Sequence, residues 1–246
     1  MKLLIANPTY NAPGAASLLA QISLVKRHPD WEFHHFEIGT SLLATTFNLL
    51  WCHMLNLRES VGLTHFLMIH ADVRPRGEEW FDTLLFEMEK NQGDVISAII
   101  PIKDSRGVTS TAIDTDPWCP VRLTLKQVHE QLPESWTTPG LLVNTGLLLV
   151  DVSKPWVEQI CFTINDKIEK DKEGIWRAYA QPEDWNFSRQ CRALGARVIA
   201  TRAVTVEHFG IHKWQSGEVW GDNIDRQNLP PQFRIETAQV KEEEVA

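Results

Sequence analysis

The sequence predicts an α/β protein with a mostly parallel central sheet flanked by helices, built as a single domain. Its first hundred residues alternate short apolar runs with segments of helical periodicity, a pattern typical of parallel strands joined by helices. The chain has 246 residues, which one large domain can accommodate. A composition of 43% hydrophobic and 23% charged residues excludes a disordered, collagen-like or coiled-coil chain.

The first hundred residues contain seven predicted elements in close succession. Short apolar runs predict strands, and apolar residues that recur every three or four positions predict helices. We expect strands at residues 3–6, 31–36, 65–70 and 94–100, and helices at residues 14–27, 43–59 and 80–88. Because ligands of such sheets bind beyond the carboxyl ends of the strands, we expect the functional residues there.

The second part of the chain is less regular. Residues 101–140 are rich in Asp, Pro, Thr and Gly, and they predict loops with short elements, including a helix near 125–132. A strand at 147–150 precedes a predicted helix that Ser153 caps and whose apolar positions extend to Ile168. Another helix is expected to open at Pro182 and to stop at Gly195. Short strands are expected at 197–200 and 204–206.

Charge, cysteine usage and hydropathy exclude several classes of protein. A net charge of −8 gives no electrostatic basis for tight, nonspecific binding to nucleic acid. The four cysteines form no CxxC pair, which argues against a zinc site, and we expect them in the core of a protein from a reducing compartment. They are Cys52, Cys119, Cys161 and Cys191. Because no apolar run is long enough for a membrane span or a signal peptide, we expect a cytoplasmic protein without a transmembrane segment.

Two acidic motifs have the clearest chemical meaning. Asp72, in His70-Ala71-Asp72, directly follows a predicted strand, and its hard oxygen ligands suit Mg²⁺ or Mn²⁺ carrying a diphosphate. Glu183 and Asp184 open a predicted helix, where either carboxylate can serve as a general base towards an acceptor hydroxyl. Each motif also has a structural alternative, because Asp often caps loops and acids at a helix start stabilise the helix dipole.

Two further polar positions extend the set. His208 follows a predicted strand and can complete a metal shell with carboxylate and phosphate oxygens; the alternative is an ordinary surface or core histidine. Asn144-Thr145-Gly146 interrupts two apolar runs, which indicates either the close approach of a ligand or a β-bulge. Since the sequence contains no glycine-rich phosphate loop, a bound phosphate would need a metal.

In their order along the chain, these motifs resemble those of the GT-A glycosyltransferases, particularly the small bacterial and phage enzymes. The resemblance covers roughly residues 1–215. It implies a Rossmann-like fold that binds a nucleotide sugar at the carboxyl edge of the sheet, with a divalent metal bridging the diphosphate. His70-Ala71-Asp72 looks like the DxD motif of that family, although His70 replaces its first acid. Glu183-Asp184 looks like the acid pair near the acceptor, and His208 like the late metal-binding histidine.

The resemblance also implies ligand contacts. The nucleotide-binding loop of the family is similar to Asn7, Pro8 and Thr9. The helix start that touches the nucleotide is similar to residues 41–48, which include Asn48. The next strand end is similar to residues 101–104, which include Lys103. Asn144 and Gly146 are similar to the strand that lines the sugar and acceptor site. Further candidates are Lys103, Arg106 and Lys213 as phosphate contacts and Trp118, Trp185 and Trp214 as stacking platforms, each with an ordinary surface or core role as its alternative.

The resemblance therefore implies a nucleotide-sugar-dependent glycosyltransferase. Asp72 and His208 would hold Mn²⁺ or Mg²⁺, and Asp184, or less readily Glu183, would act as the base in an inverting transfer. A retaining transfer, in which the acid pair would position the acceptor and no general base is needed, is the open alternative. A UDP-sugar donor is favoured, and the acceptor is a glycan, lipid, protein or modified nucleobase. The expected catalytic domain spans residues 1–221, with a nucleotide-sugar half to about 105, an acceptor half after it, and a polar tail at 222–246. Two alternatives remain open: an inactive GT-A-like binding domain and a sugar-phosphate nucleotidylyltransferase.

Overall fold

The computed structural model describes residues 1–9, 14–210, 213–219 and 233–236. The helices are α1 (Ala15–Arg27), α2 (Leu43–Val61), α3 (Trp80–Lys90), α4 (Leu125–Gln131) and α5 (Glu183–Ala193). The strands are β1 (Lys2–Pro8), β2 (Glu32–Ile38), β3 (His65–Ile69), β4 (Val73–Pro75), β5 (Val95–Ala98), β6 (Val108–Ile113), β7 (Val121–Thr124), β8 (Ser135–Trp136), β9 (Leu141–Leu142), β10 (Leu147–Asp151), β11 (Asn165–Lys170), β12 (Trp176–Gln181), β13 (Val198–Thr201), β14 (Val206–Phe209) and β15 (Lys213–Gln215).

A seven-stranded sheet with the order β2-β1-β3-β10-β5-β13-β8 forms the centre of a single α/β domain. β1 is parallel to β2 and β3, and β5 is parallel to β13. β10 inserts antiparallel between β3 and β5, and β8 closes the sheet antiparallel to β13. Because β1, β3 and β5 run in one direction, their carboxyl ends meet at one edge. The predicted α/β class with a mostly parallel sheet is confirmed.

The central strands are buried on both faces, which explains why they read as continuous apolar runs. On β1, Leu4 and Ala6 face a layer that contains α2, α4 and α5. Leu3 and Ile5 face the opposite layer, which α1 and α3 cover. Alternate side chains thus point to opposite sides of the sheet and join the two halves of the core.

Three smaller sheets surround the central one. β14 pairs with β4 and β15, which places His208 beside Val73. β6 pairs with β7 and β9. β6 and β7 lie in residues 101–140, which were predicted as loops with short elements. The helix predicted near 125–132 is confirmed as α4, whose N-terminus has a reciprocal capping box between Thr124 and Gln127.

The helix predicted from Ser153 as far as Ile168 is wrong. Residues Pro155–Gln159 form one short 3-10 helix, and β11 and β12 form an antiparallel hairpin after it. Ile168, expected on a core face, is 72% exposed. Turn chemistry decides the outcome: Asp171 Oδ1 accepts from two backbone N–H groups, and Gly174 adopts a φ of 78° that favours glycine.

The expectation for the cysteines is corrected, and a short part of the expected tail is described. Of the four cysteines expected in the core, only Cys191 is buried, because the other three lie on outward-facing positions. Within the expected tail, the described residues 233–236 contact the domain: Glu236 N donates to Thr137 O at 2.7 Å, and Phe233 packs against the core. The remainder of the tail lies outside the described residues. None of the described helices has the length and apolar character needed to cross a membrane.

Candidate active site

Two adjoining cavities open at the carboxyl edge of the central sheet. The large cavity has a volume of about 700 Å³ and the small cavity about 190 Å³. The large cavity is lined by Pro8, Thr9, Gly14, Ala15, Ala16, Thr40, Ser41, Leu43, Thr46, His70, Ala71, Asp72 and Phe209. The small cavity is lined by His70, Val73, Ile100, Ser110, Asn144, Thr145, Gly146, Glu183, Asp184 and His208. His70 lines both and therefore marks their junction.

The N-terminus of α1 forms one wall of the large cavity. Its N-cap is Gly14, which offers no side-chain cap, and its first turn contains no acid. As far as the described residues show, the first N–H groups within the helix and the positive end of its dipole can therefore face an anion. A Cβ at Gly14 would lie 2.4 Å from Ala71 O, so only glycine allows this close approach. Sequence reasoning missed this site, although three small residues at the helix start, Gly14-Ala15-Ala16, were its signal.

Asp72 lies between β3 and β4 with two cationic or potentially cationic partners. Its Oδ2 forms an ion pair with Lys103 Nζ and lies 3.6 Å from His208 Nε2. Phe209 N donates to Asp72 O at 2.8 Å, which fixes β14 against this loop. Burial acts to raise the pKa of Asp72, but the neighbouring His208 and Lys103 outweigh it and hold that pKa well below its usual range. Asp72 is therefore a stable anion.

His208 presents one ring nitrogen towards Asp72 because the other is already engaged. Its Nδ1 lies 2.8 Å from Pro101 O, and since a carbonyl only accepts, Nδ1 is the donor of this hydrogen bond. The remaining Nε2 faces the carboxylate of Asp72. A histidine that donates Nδ1–H to a backbone carbonyl and presents Nε2 is typical of a metal ligand.

The donor set at this position fits a divalent ion that binds together with a diphosphate. Among the described residues, no group of three His, Cys, Asp or Glu side chains gathers that could hold a metal by itself. Asp72 and His208 supply two ligands of suitable chemistry. Mg²⁺ is commonly held by only one or two protein groups when substrate phosphates and water complete its shell.

His70 enters the site as a neutral imidazole. Burial lowers its pKa to about 4, although the charge of Asp72 opposes this shift. Its Nε2 lies 3.3 Å from Thr145 Oγ1, and its ring packs 5.3 Å from that of Phe47. The first acid of the DxD pattern is thus replaced by a group that carries no charge near neutral pH.

Glu183 and Asp184 open α5 and face the small cavity. Burial, together with the neighbouring charge of Glu183, raises the pKa of Asp184 to about 7. Burial also raises the pKa of Glu183, whose residue is only 8% exposed. The helix start works in the opposite direction, because Trp185 N donates to Asp184 Oδ1 at 2.8 Å. The result is a carboxyl group that exchanges its proton near neutral pH.

Arg122 on β7 lies close to this pair and was missed by sequence reasoning. Its guanidinium stacks 4.5 Å from the ring of Trp185, and Nη1 donates to Thr109 O at 3.1 Å. Burial lowers the pKa of Arg122, while the charge of Asp184 opposes that shift. Trp185 Nε1 donates to Ser110 O at 3.1 Å. One face of this candidate stacking ring is therefore covered, and nothing in the irregular sequence around β7 pointed to Arg122.

Two of the predicted nucleotide contacts support the fold beneath the cavities. The side chain of Asn7 is fully buried; it donates to Ile69 O and accepts from Gln21 Nε2 at 3.0 Å. Asn48 bonds both backbone groups of Phe162 at 2.8 Å. Neither asparagine is among the described residues that line the cavities. Pro8 and Thr9, which were predicted as nucleotide contacts together with Asn7, do line the large cavity.

The predicted Asn144-Thr145-Gly146 motif forms a buried turn between β9 and β10 that lines the small cavity. Asn144 Nδ2 donates to Ala98 O at 3.1 Å, and its Oδ1 accepts from Gly146 N at 2.9 Å. A Cβ at Gly146 would lie 2.5 Å from Ile100 Cδ1. The motif therefore shapes the cavity wall through backbone contacts.

Arg106 and Trp118 are not among the residues that line the two cavities. Arg106 forms an ion pair with Asp104 at 2.6 Å on the surface. Lys167 Nζ lies 4.6 Å from the ring centroid of Trp118. The side chains of Lys213 and Trp214 lie outside the described part of the structure.

Comparisons with known proteins give only distant likenesses. No family model and no curated protein matches the sequence. The crystal structure of A197 from STIV is similar with a TM-score of 0.49 and 16% identity, over 85% of this chain and 86% of that one. A glycosyltransferase involved in glycosylation of the PBCV-1 major capsid has a TM-score of 0.35 and 11% identity, over 65% and 63%. UDP-glucose pyrophosphorylase complexed with UDP-glucose has a TM-score of 0.38 and 13% identity, over 82% and 90%. At these scores we base no functional conclusion on the likenesses.

Proposed function

We propose that this protein is a glycosyltransferase that moves a sugar from a nucleotide diphosphate sugar to an acceptor hydroxyl. One observation carries the proposal: a cavity walled by the N-terminus of α1 adjoins a small cavity lined by a carboxyl group with a pKa of about 7. The first suits a nucleoside diphosphate, and the second suits a sugar beside a general base.

The donor is expected to occupy the large cavity. Its volume of about 700 Å³ lies within the usual range for small-molecule sites. The open N–H groups of α1 and the ammonium of Lys103 offer positive partners to the diphosphate. The sugar would then extend past His70 into the small cavity. A UDP-sugar is the first donor to test.

Asp72 and His208 are the residues that would hold Mn²⁺ or Mg²⁺ beside the diphosphate. When bound, such an ion neutralises charge on the departing diphosphate. Their geometry supports this assignment because Asp72 stays ionised and His208 presents Nε2.

Asp184 is proposed as the base of an inverting transfer. Its carboxylate takes the proton of the acceptor hydroxyl, the acceptor oxygen forms a bond to the anomeric carbon, and the bond from that carbon to the diphosphate oxygen breaks. The nucleoside diphosphate leaves with that electron pair. Glu183 helps to keep the pKa of Asp184 near neutrality. The acceptor remains one of four classes: glycan, lipid, protein or modified nucleobase.

A product assay tests this proposal. The protein is incubated with Mn²⁺, a panel of nucleotide sugars and pooled acceptors, and the released nucleoside diphosphate is measured. We expect release to rise with pH through about 7, and Asp184→Asn to lower the rate by about 10²- to 10⁴-fold. Asp166→Asn, on the exposed hairpin, is the matched control and should leave the rate unchanged.

Three results would contradict the proposal. Equal rates for Asp184→Asn and the unaltered protein would remove the base. Pyrophosphate release from a nucleoside triphosphate and a sugar phosphate would identify a nucleotidylyltransferase. No turnover with any donor would favour an inactive binding domain.

A further inference from the structure

Lys103 contacts the carboxylate of Asp72, the group that would ligate a divalent ion. Its ammonium contacts Asp72 Oδ2, the same carboxylate oxygen that faces His208 Nε2. Lys103 and Asp72 are both partly exposed, so the lysine can leave without breaking the core. A second cation bound to this oxygen would lie within a few ångströms of the ammonium and repel it. The ion and Lys103 therefore compete for one ligand.

A displaced Lys103 needs another anion. The nearest acid along the chain, Asp104, already accepts from Arg106 Nε at 2.9 Å and from Arg106 Nη2 at 2.6 Å. A diphosphate in the large cavity would bring at least two negative charges to the same place. It would give Lys103 a new partner and free Asp72 at the same time.

We propose that Lys103 couples the binding of the divalent ion to the binding of the donor diphosphate. This inference rests on the proposed function, because it assigns the large cavity to a nucleoside diphosphate. Without nucleotide, Lys103 holds Asp72 and weakens ion binding. With nucleotide, Lys103 moves to the diphosphate, and each ligand raises the affinity for the other by the same factor.

Mn²⁺ binding tests the inference without any turnover. Free Mn²⁺ is measured by electron paramagnetic resonance for the unaltered protein, Lys103→Met and Lys103→Arg, first with the metal alone and then with UDP, GDP, ADP or CDP. With metal alone, Lys103→Met should bind Mn²⁺ at least about 5-fold more tightly than the unaltered protein, a factor within the usual range for coupled sites. Lys103→Arg keeps the positive charge and should not bind Mn²⁺ more tightly. With nucleotide, the gain in Mn²⁺ affinity should be large for the unaltered protein and smaller for Lys103→Met.

Two control variants define the site. Asp72→Asn should abolish Mn²⁺ binding both in the otherwise unaltered protein and in combination with Lys103→Met. Lys154→Met removes a lysine that lies 3.6 Å from Asp94 and from Asp151, and it should leave Mn²⁺ binding unchanged. Equal Mn²⁺ affinity for Lys103→Met and the unaltered protein, or no binding by Lys103→Met, would overturn the coupling role. Failure of every nucleotide to bind would instead count against the proposed function, since the metal-only comparison does not depend on it.

Discussion

At the scale of single residues, two carboxyl groups of the site have opposite pKa shifts. Asp72 has a lowered pKa because its contacts with His208 and Lys103 outweigh the effect of burial. Asp184 has a pKa raised to about 7 because burial and Glu183 disfavour its charged form. Such a separation assigns different roles to similar groups: one stays charged and binds cations, and the other exchanges a proton.

The raised pKa of Asp184 predicts a stability cost near neutral pH. The ordinary pKa of an aspartate in an unfolded chain is 3.8, and that of Asp184 in the folded protein is about 7, so folding favours the protonated form. The stability from this group is fully present below about pH 4 and is lost as the pH rises towards 7. Asp184→Asn should therefore stabilise the fold at about pH 8 by roughly 1–3 kcal/mol, a range reduced for partial solvent exposure.

Urea unfolding at about pH 8 and about pH 4 measures this effect. The gain should largely disappear at the lower pH, because Asp184 is protonated in the folded protein and in the unfolded chain is then close to its ordinary pKa of 3.8 and gains little by ionising. The exposed variant Asp166→Asn should show no gain at either pH. A loss of stability for Asp184→Asn at the higher pH would show that the charged form is favoured in the folded protein.

The sequence pointed to Asp72 and His208 because each follows a predicted strand, and to Glu183 and Asp184 because they open a predicted helix. It could not provide their pKa values or their partners. Those depend on Lys103, which is 31 residues from Asp72 along the chain, and on Arg122 of β7, which packs on Trp185 of α5. Contacts between distant segments leave no periodic signal.

At the scale of elements, prediction succeeded where apolar spacing alone decides the structure. Helices α1, α2, α3 and α5 began within a residue or two of their expected starts. The helix expected after Ser153 failed because the turn made by Asp171 and Gly174 favours a hairpin over the apolar spacing. The sequence predicted that α1 begins here. It did not predict that the helix start lies close to Ala71 and therefore forms a cavity wall.

This close approach predicts the effect of a single methyl group. Gly14→Ala would place a Cβ 2.4 Å from Ala71 O and push the N-terminus of α1 away from the cavity. We expect nucleoside diphosphate affinity to fall by about tenfold, the loss of roughly one charge-assisted hydrogen bond. Isothermal titration calorimetry measures the affinity.

Gly62→Ala is the matched control for that variant. Gly62 ends α2 with a φ of 72° in open space, so the substitution is strained there but lies away from the cavity residues. It should lower stability by about 1 kcal/mol and leave nucleotide affinity unchanged. Equal affinity losses in both variants would show that α1 has no specific role in binding.

At the scale of the whole molecule, the sheet topology collects the functional residues. β1 and β3 lead to Thr9 and His70, β5 leads to Pro101 and Lys103, and β14 returns His208 to the same edge. Strand-helix alternation predicted the shared edge for the parallel strands. It did not predict that antiparallel β10 would separate β3 from β5, because a fully buried antiparallel strand reads like a parallel one.

Thermal unfolding with nucleoside diphosphates tests the central claim most directly. A ligand that binds only the folded protein at 100 times its Kd adds about 2.7 kcal/mol of stability, which corresponds to roughly 5–10 °C in Tm for a chain of this size. We expect one nucleoside diphosphate to give such a shift in Mn²⁺, and the Mn²⁺-dependent part to disappear in Asp72→Asn but not in Asp166→Asn. No shift with any nucleoside diphosphate, with or without Mn²⁺, would contradict a nucleotide-sugar site at this sheet edge.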